Sequence, residues 1–191
     1  MARFVLPPPR IRPWKRLSVR DVSDHRVFRV QSLAMQDAEG KPRRDFTVFA
    51  CPDWCNVMAL TDARELVLIW QYRFGTDALS LEIPGGVLEP NEDPRAAARR
   101  ELTEETGYDA PAFEDLCVVE PNPALQGNRC FTYLARGARL VGSTSFDENE
   151  ECEVVLVPLD ALPQLLDDGV ITHALCRVGL ETYLRRYGVS G

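Results

Sequence analysis

The sequence predicts an α/β domain, a mixed sheet sandwiched between helices, with an N-terminal antiparallel β-hairpin as an extension. Three observations carry that prediction. Short runs rich in Val, Leu and Ile alternate with turn signals through the first half of the chain. One sharply capped helix interrupts the strands, and two further helices follow the last of them. The order strands, helix, strands, helices suits a mixed sheet flanked by helices rather than a doubly wound parallel sheet. Finally, 191 residues that are 45% hydrophobic and 27% charged can bury a real core in one domain with a small appendage.

Each element has a local reason. Residues 1 to about 15 are rich in Pro and Arg and read as an extended arm. "HRVFRVQSLAMQ" and "RRDFTVFAC" have β-type composition and flank the turn signal "DAEGKP", which makes a hairpin. Residues 1–50 are therefore assigned to the arm and hairpin extension, and 51–191 to the main domain. "NVMALT" and "ELVLIWQYR" suit central strands, joined by the turn "DAR". "LSLEIPGG" is a strand ending in a glycine pair. Asp93 followed by Pro94 is an N-cap with proline in the first helical position, and Gly107 is the matching stop. "FEDLCVVEP", "NRCFTYLARG" and "CEVVLVPL" follow as strands, the last preceded by the acidic run "SFDENEE". "LDALPQLLDDG" and "THALCRVGLETYLRRYG" read as helices.

Bulk properties narrow the function. A net charge of −7 argues against nucleic acid as a partner, and requires local cations for any anionic substrate. No apolar run reaches the roughly 18 residues of a membrane helix, and Pro7 to Pro9 interrupt any leader-like stretch. The expectation is a cytoplasmic protein without a membrane partner. Cys51, Cys55, Cys117, Cys130, Cys152 and Cys176 include no CxxC pair, and His25 and His173 stand apart. They read as free, partly buried thiols rather than a zinc site.

The helix from Asp93 to Gly107 carries the chemistry. Ala97, Ala98 and Leu102 can pack on a sheet, while Glu101, Glu104 and Glu105 point another way. Like charges at these spacings repel, each close pair costing on the order of 0.2–0.5 kcal/mol. Hard divalent cations want oxygen ligands, and magnesium binds a few carboxylates together with substrate phosphates. Gly85 and Gly86 leave room for backbone to approach such a site.

From Gly86 the chain runs five residues to Glu92, seven more to Arg100, then Glu101, Leu102, Glu104, Glu105, Gly107 and Tyr108 in fixed register. This spacing resembles the signature of the Nudix hydrolases, with Tyr108 in place of the final aliphatic residue. The resemblance implies the Nudix fold and hydrolysis of a pyrophosphate linkage. It further implies Glu101 and Glu105 as principal Mg2+ ligands (Mn2+ being the alternative ion), with the Gly85 carbonyl as a further ligand. Glu104 would bind a second ion or a metal-bound water, Arg100 would pair with a neighbouring carboxylate and hold it in position, and Glu92 would serve a similar helix-orienting role.

"LVLIWQYRFGTDALSLEIPGG" and "FDENEECEVVLVPLDALPQLLDDGVITHA" resemble the branch that hydrolyses ADP-ribose and other nucleoside diphosphate sugars. That likeness implies a general base on the acidic loop, Glu148, with Glu150 the next candidate and a possible metal ligand. A base on the signature helix, Glu104, is the other arrangement found in the family. Arg73 would contact substrate phosphate, Glu82 would sit near the metals or the ribose, and Arg129 is a further candidate substrate contact. The N-terminal hairpin is similar to an element exchanged across a homodimer in that branch. Pro123 fits the branch, but Asn128 and Arg129 stand where a glutamate usually follows, so another nucleotide sugar such as GDP-mannose remains open. The alternatives are a nucleoside triphosphate pyrophosphohydrolase and a non-catalytic nucleotide-binding module.

Overall fold

The computed structural model describes residues 4–145 and 151–189. It divides into two compact units, residues 1–51 with 122–127, and residues 52–121 with 128–191.

In the first unit, β1 (Lys15–His25), β2 (Phe28–Gln36) and β3 (Phe46–Ala50) form an antiparallel sheet in that order. The expected hairpin is β2–β3. Its turn is locked by Asp37, whose carboxylate accepts from the amides of Glu39 (3.1 Å) and Lys41 (2.8 Å) and from Arg43 Nε (3.0 Å). The strand β1 was not legible as one, because in "KRLSVRDVSDH" only Leu17, Val19 and Val22 are apolar, without regular alternation, and every position is exposed.

The second unit holds an eight-stranded mixed sheet between helices, as the sequence predicts. Its path is β11 (Cys152–Pro158), β5 (Glu65–Arg73), β4 (Trp54–Thr61), β10 (Cys130–Leu140) and β8 (Tyr108–Asp109). β6 (Ala78–Glu82) pairs with β5, β7 (Gly85–Val87) with β4, and β9 (Ala112–Val119) with β10. Only β4 and β10 run parallel; the other pairings are antiparallel.

The central strand shows why the sheet is covered on both faces. Along β4, Val57 and Ala59 enter one core and Met58 and Leu60 the other. Period-two alternation of wholly apolar residues means both faces are buried, which is why the run reads as continuously hydrophobic. One core packs α1 (Pro94–Thr106) through Ala97, Ala98 and Leu102, all fully buried. The opposite core takes Leu162 and Leu166 of α2 (Leu162–Asp167) and Cys176, Leu180 and Tyr183 of α3 (Ala174–Tyr187). The first turn of the expected 159–169 helix is instead a 3-10 turn, Leu159–Ala161, with Pro163 just inside α2. No helix among the described residues is long and apolar enough to cross a membrane.

Both ends of α1 are fixed as the sequence predicts. Asp93 accepts from the amides of Arg95 (3.0 Å) and Ala96 (3.1 Å). Gly107 is left-handed at φ 72° and donates its N–H to the Thr103 carbonyl, 2.9 Å away. Removing the cap by Asp93→Ala should cost about 0.5–2 kcal/mol. Gly107→Ala should cost more, about 2 kcal/mol or above, because it adds left-handed strain to a Cβ placed under 3.0 Å from the Gly142 carbonyl. Urea denaturation of both variants checks the ranking, and an equal or smaller loss at Gly107 would refute it.

Candidate active site

The signature segment folds into a loop, the short strand β7 and helix α1, and a single guanidinium ties them together. Arg100 donates to both oxygens of Glu92 (Nε to Oε1, 2.9 Å; Nη2 to Oε2, 3.0 Å). Its Nη1 donates to Glu101 (2.8 Å) and Glu104 (3.0 Å), and Nη2 also reaches the Val87 carbonyl at 3.3 Å. One cation thus serves three carboxylates and a strand carbonyl. Arg100 holds the Glu92 carboxyl below the usual carboxylate range, the partial burial that opposes this being the smaller effect, with help from the Glu89 amide. The Arg100 guanidinium is in turn held charged, chiefly by Glu92 and then against the cost of its own burial.

Glu105 lies on the inner side of the helix, buried, and accepts the Gly85 N–H at 2.8 Å. The backbone of β7 therefore touches the helix face directly. A Cβ on Gly86 would stand less than 3.0 Å from the Glu101 carboxylate, and one on Gly85 would meet the Cys55 carbonyl. Close approach, not an unusual φ, favours both glycines, and at Gly85, where a Cβ would meet backbone, it requires one. Of the three glutamates paired with Arg100, Glu104 is the most exposed, at 45% against 14% for Glu101 and 16% for Glu92. The structure therefore brings Gly85, Gly86, Glu92, Arg100, Glu101, Glu104 and Glu105 into one surface.

Two residues expected near the substrate pair with each other. Arg73 donates to Glu82 through Nε (2.8 Å) and Nη2 (2.7 Å), a two-pronged bond across the β5–β6 pair. Glu82 is only 1% exposed, whereas the Arg73 side chain is 41% exposed. Burial alone would raise the Glu82 carboxyl, but Arg73 overrides it and the net shift is downward. His173 stands beside this pair, its Nδ1 3.3 Å from Glu82 Oε2, and burial keeps its imidazole below its ordinary value. Sequence spacing gave no sign of that neighbour.

Arg129 lies over the Phe131 ring at 4.9 Å and donates to Asp53 at 3.0 Å. Its backbone N–H takes the other Asp53 oxygen at 2.7 Å. Glu148 and Glu150 lie outside the described residues. The Ser145 amide donates to the Glu104 carbonyl at 2.8 Å, and Cys152 opens β11 opposite Gln71 of β5.

Residues 53–175 match the NUDIX domain model. The chain is 28% identical over 166 residues to an ADP-ribose pyrophosphatase of Bacillus subtilis, covering 84% of this chain and 89% of that protein. It is 29% identical over 171 residues to a CMP-5'-(N-acetyl-N-hydroxy-3-aminopropyl)phosphonate hydrolase of Streptomyces rubellomurinus, covering 90% of this chain and 82% of that one. A crystal structure of an ADP compounds hydrolase superposes with a TM-score of 0.81 at 25% identity, spanning 95% of this chain and all of the other. With the signature helix, its glycine partner strand and the family model in agreement over most of the second unit, the chain belongs to the Nudix family.

Proposed function

We propose that the chain hydrolyses the pyrophosphate bond of a nucleoside diphosphate sugar of the ADP-ribose class, with Mg2+, giving a nucleoside monophosphate and a sugar phosphate. The observation that carries this reading is the carboxylate face of α1 lying directly against the glycine backbone of β7. An all-oxygen donor set of Glu101, Glu105 and the Gly85 carbonyl suits a hard cation and does not suit a thiophilic one. The missing Cβ of Gly86 lets the Glu101 carboxylate lie against the β7 backbone, which fits the same use. When bound, Mg2+ offsets phosphate charge and makes water a better nucleophile. ADP-ribose is favoured over a nucleoside triphosphate by the likeness to the Bacillus subtilis enzyme and by the loop resemblance.

The chain's own residues divide the remaining work. Arg100 and Glu92 position Glu101 and Glu104, so that the ligands are ordered before an ion arrives. Arg73, oriented by the buried Glu82, keeps guanidinium N–H groups beyond the two given to that carboxylate, enough for a substrate phosphate oxygen. Arg129 offers a second, more exposed cation at the Asp53 corner. Water adds across the P–O–P bridge; one phosphorus gains the water oxygen, and the departing phosphate keeps the bridging oxygen. A carboxylate must take the proton of that water. Glu148 is assigned this role by the resemblance of the run "FDENEE" to the base-bearing segment of the ADP-ribose branch. Glu150 is the neighbouring candidate and Glu104 the alternative on the helix.

We also assign the first unit to a homodimer. β1 is an edge strand, and Leu17, Val19 and Val22 on it are 49%, 44% and 54% exposed, with Phe4, Val5, Leu6 and Ile11 more exposed still. Removing residues 1–50 should give aggregation or weakened substrate affinity. A soluble, fully active truncated monomer in light scattering and turnover assays would refute this assignment.

Glu101→Gln and Glu105→Gln should each lower turnover of ADP-ribose by at least about a hundredfold, since each removes a charged oxygen from the metal site. Near-normal turnover in either variant removes that residue from the ligand set. At saturating Mg2+, Glu148→Gln should be the most damaging of Glu148→Gln, Glu150→Gln and Glu104→Gln, with metal affinity almost unchanged. A reversed order, with Glu104 dominant, would place the base on the helix.

Arg100→Lys tests positioning. A single ammonium cannot span Glu92, Glu101, Glu104 and the Val87 carbonyl, so about 1–3 kcal/mol of stability should be lost. The Mg2+ concentration for half-maximal turnover should rise as well. Lost stability with an unchanged Mg2+ dependence would leave Arg100 a purely structural role.

A further inference from the structure

Away from the glutamate face of α1, three unlike side chains meet where β6 ends and α3 begins. Glu82 closes β6, His173 is the N-cap residue of α3 with no side-chain cap bond, and Cys176 lies in the first turn of that helix. Three residues apart at a helix start, His173 and Cys176 fall on one face. His173 Nδ1 is 3.1 Å from Cys176 Sγ and 3.3 Å from Glu82 Oε2, and Sγ is 3.7 Å from that same oxygen. Among the described residues this is the one group of three His, Cys, Asp or Glu side chains whose donor atoms all lie within 4.8 Å of one another.

We propose that Glu82, His173 and Cys176 form a binding site for a thiophilic divalent cation of the zinc class, separate from the oxygen-only site on α1. Tetrahedral zinc, with bonds near 2.0–2.3 Å, sets its N, S and O ligands about 3.3–3.6 Å apart. The three observed separations straddle that range. Binding requires only that the His173–Cys176 edge widen by about half an ångström. Three protein ligands leave a fourth position open, the arrangement zinc adopts where it also binds water or a small molecule.

Arg73 does not block the site. A carboxylate offers about four lone-pair positions; on Glu82, Arg73 uses two and the Ser80 side chain a third, which leaves one for an ion. It becomes the outer partner that orients a ligating carboxylate, as such partners do in metal sites generally. Without an ion the same atoms form a hydrogen-bonded chain in which the buried thiol donates to Glu82 Oε2. Burial, and then the Glu82 carboxylate, push the Cys176 thiol up, so the ion itself must displace the thiol proton, which leaves to solvent. Glu82 and Cys176 are buried, but the His173 side chain is 29% exposed and gives the route of entry. Mg2+ does not compete here, because it takes oxygen ligands and not thiolate.

The test uses the full-length protein, stripped with chelator, held in excess Mg2+, and titrated with Co2+ as a spectroscopic stand-in for Zn2+. The expected result is a thiolate-to-Co2+ charge-transfer band with tetrahedral ligand-field absorption, saturating at one equivalent and bleached by Zn2+. Cys176→Ser should abolish the charge-transfer band, and Glu101→Gln should leave it intact. His173→Ala, at a half-exposed position with no cap bond to lose, should weaken Co2+ binding by at least about tenfold, as direct ligands outweigh outer partners. Absence of the band in the wild-type protein overturns the proposal. So does a band of unchanged intensity in Cys176→Ser, which would place the ion on another thiol. If Cys176→Ser fails to fold by circular dichroism, the His173→Ala titration decides, and unchanged affinity there is equally fatal.

Discussion

One arginine offsets the repulsion among the glutamates that the signature helix gathers on one side. Glu101, Glu104 and Glu105 lie at three- and four-residue spacings, where like charges destabilise a helix by a few tenths of a kcal/mol per pair. Arg100 answers two of them directly and anchors itself on Glu92 and the Val87 carbonyl. That anchoring ties the loop before the helix to the helix itself. The donors are used in several directions at once, which a planar guanidinium with five N–H groups can do and a compact ammonium cannot. The Glu92 carboxyl, held below its usual range, stays ionised well into the acid region and keeps the anchor in place.

The sheet makes this arrangement rigid. α1 is held by Ala97, Ala98 and Leu102 on one face, while α2 and α3 fill the other. Small side chains on α1 let the helix come close, and the glycines of β7 complete the approach from the opposite side. Gly85 pairs with Asn56 and Gly86 with Cys55 on β4, so the glycine backbone is fixed by the most buried strand of the domain. The amide of Gly85 then reaches the Glu105 carboxylate without any loop rearrangement. A carboxylate face on a helix is common; one pressed against immobile backbone is a place where a small ion and a phosphate can be positioned together.

How much was legible in the sequence follows from the range of each interaction. Asp93, Pro94 and Gly107 act within one helical turn of themselves, and both helix ends fall where those residues predict. The signature compresses its chemistry into one contiguous segment, so the grouping of Glu92, Arg100, Glu101, Glu104 and Glu105 could be read before any coordinates. β1 could not, since an exposed two-sided polar strand has no buried face to impose alternation. Nor could the pairing of Arg73 with Glu82, which depends on the β5–β6 register. His173 and Cys176 reach Glu82 only through the packing of α3 on the sheet, more than ninety residues along the chain. A cysteine and a histidine that stand apart in sequence are brought together by a helix start and a strand end.

That gathering places two groups of opposite chemical character a short step apart. Glu82 and Gly85 are separated by two residues, and the segment between them, Ile83 and Pro84, is buried. On one side the donors are carboxylates and a carbonyl; on the other an imidazole, a thiol and a single carboxylate. Arg73 is held charged first by its bonds to Glu82 and, at longer range, by Glu105. A positive charge placed on the Glu82 side would therefore raise the potential felt by Arg73 and, through it, by the Glu105 side. Because hard and soft ions prefer different donors, the two groups need not compete for the same ion even at this distance. What links the two groups is charge, the Arg73 guanidinium bonded to Glu82 and felt by Glu105, across a buried step of two residues.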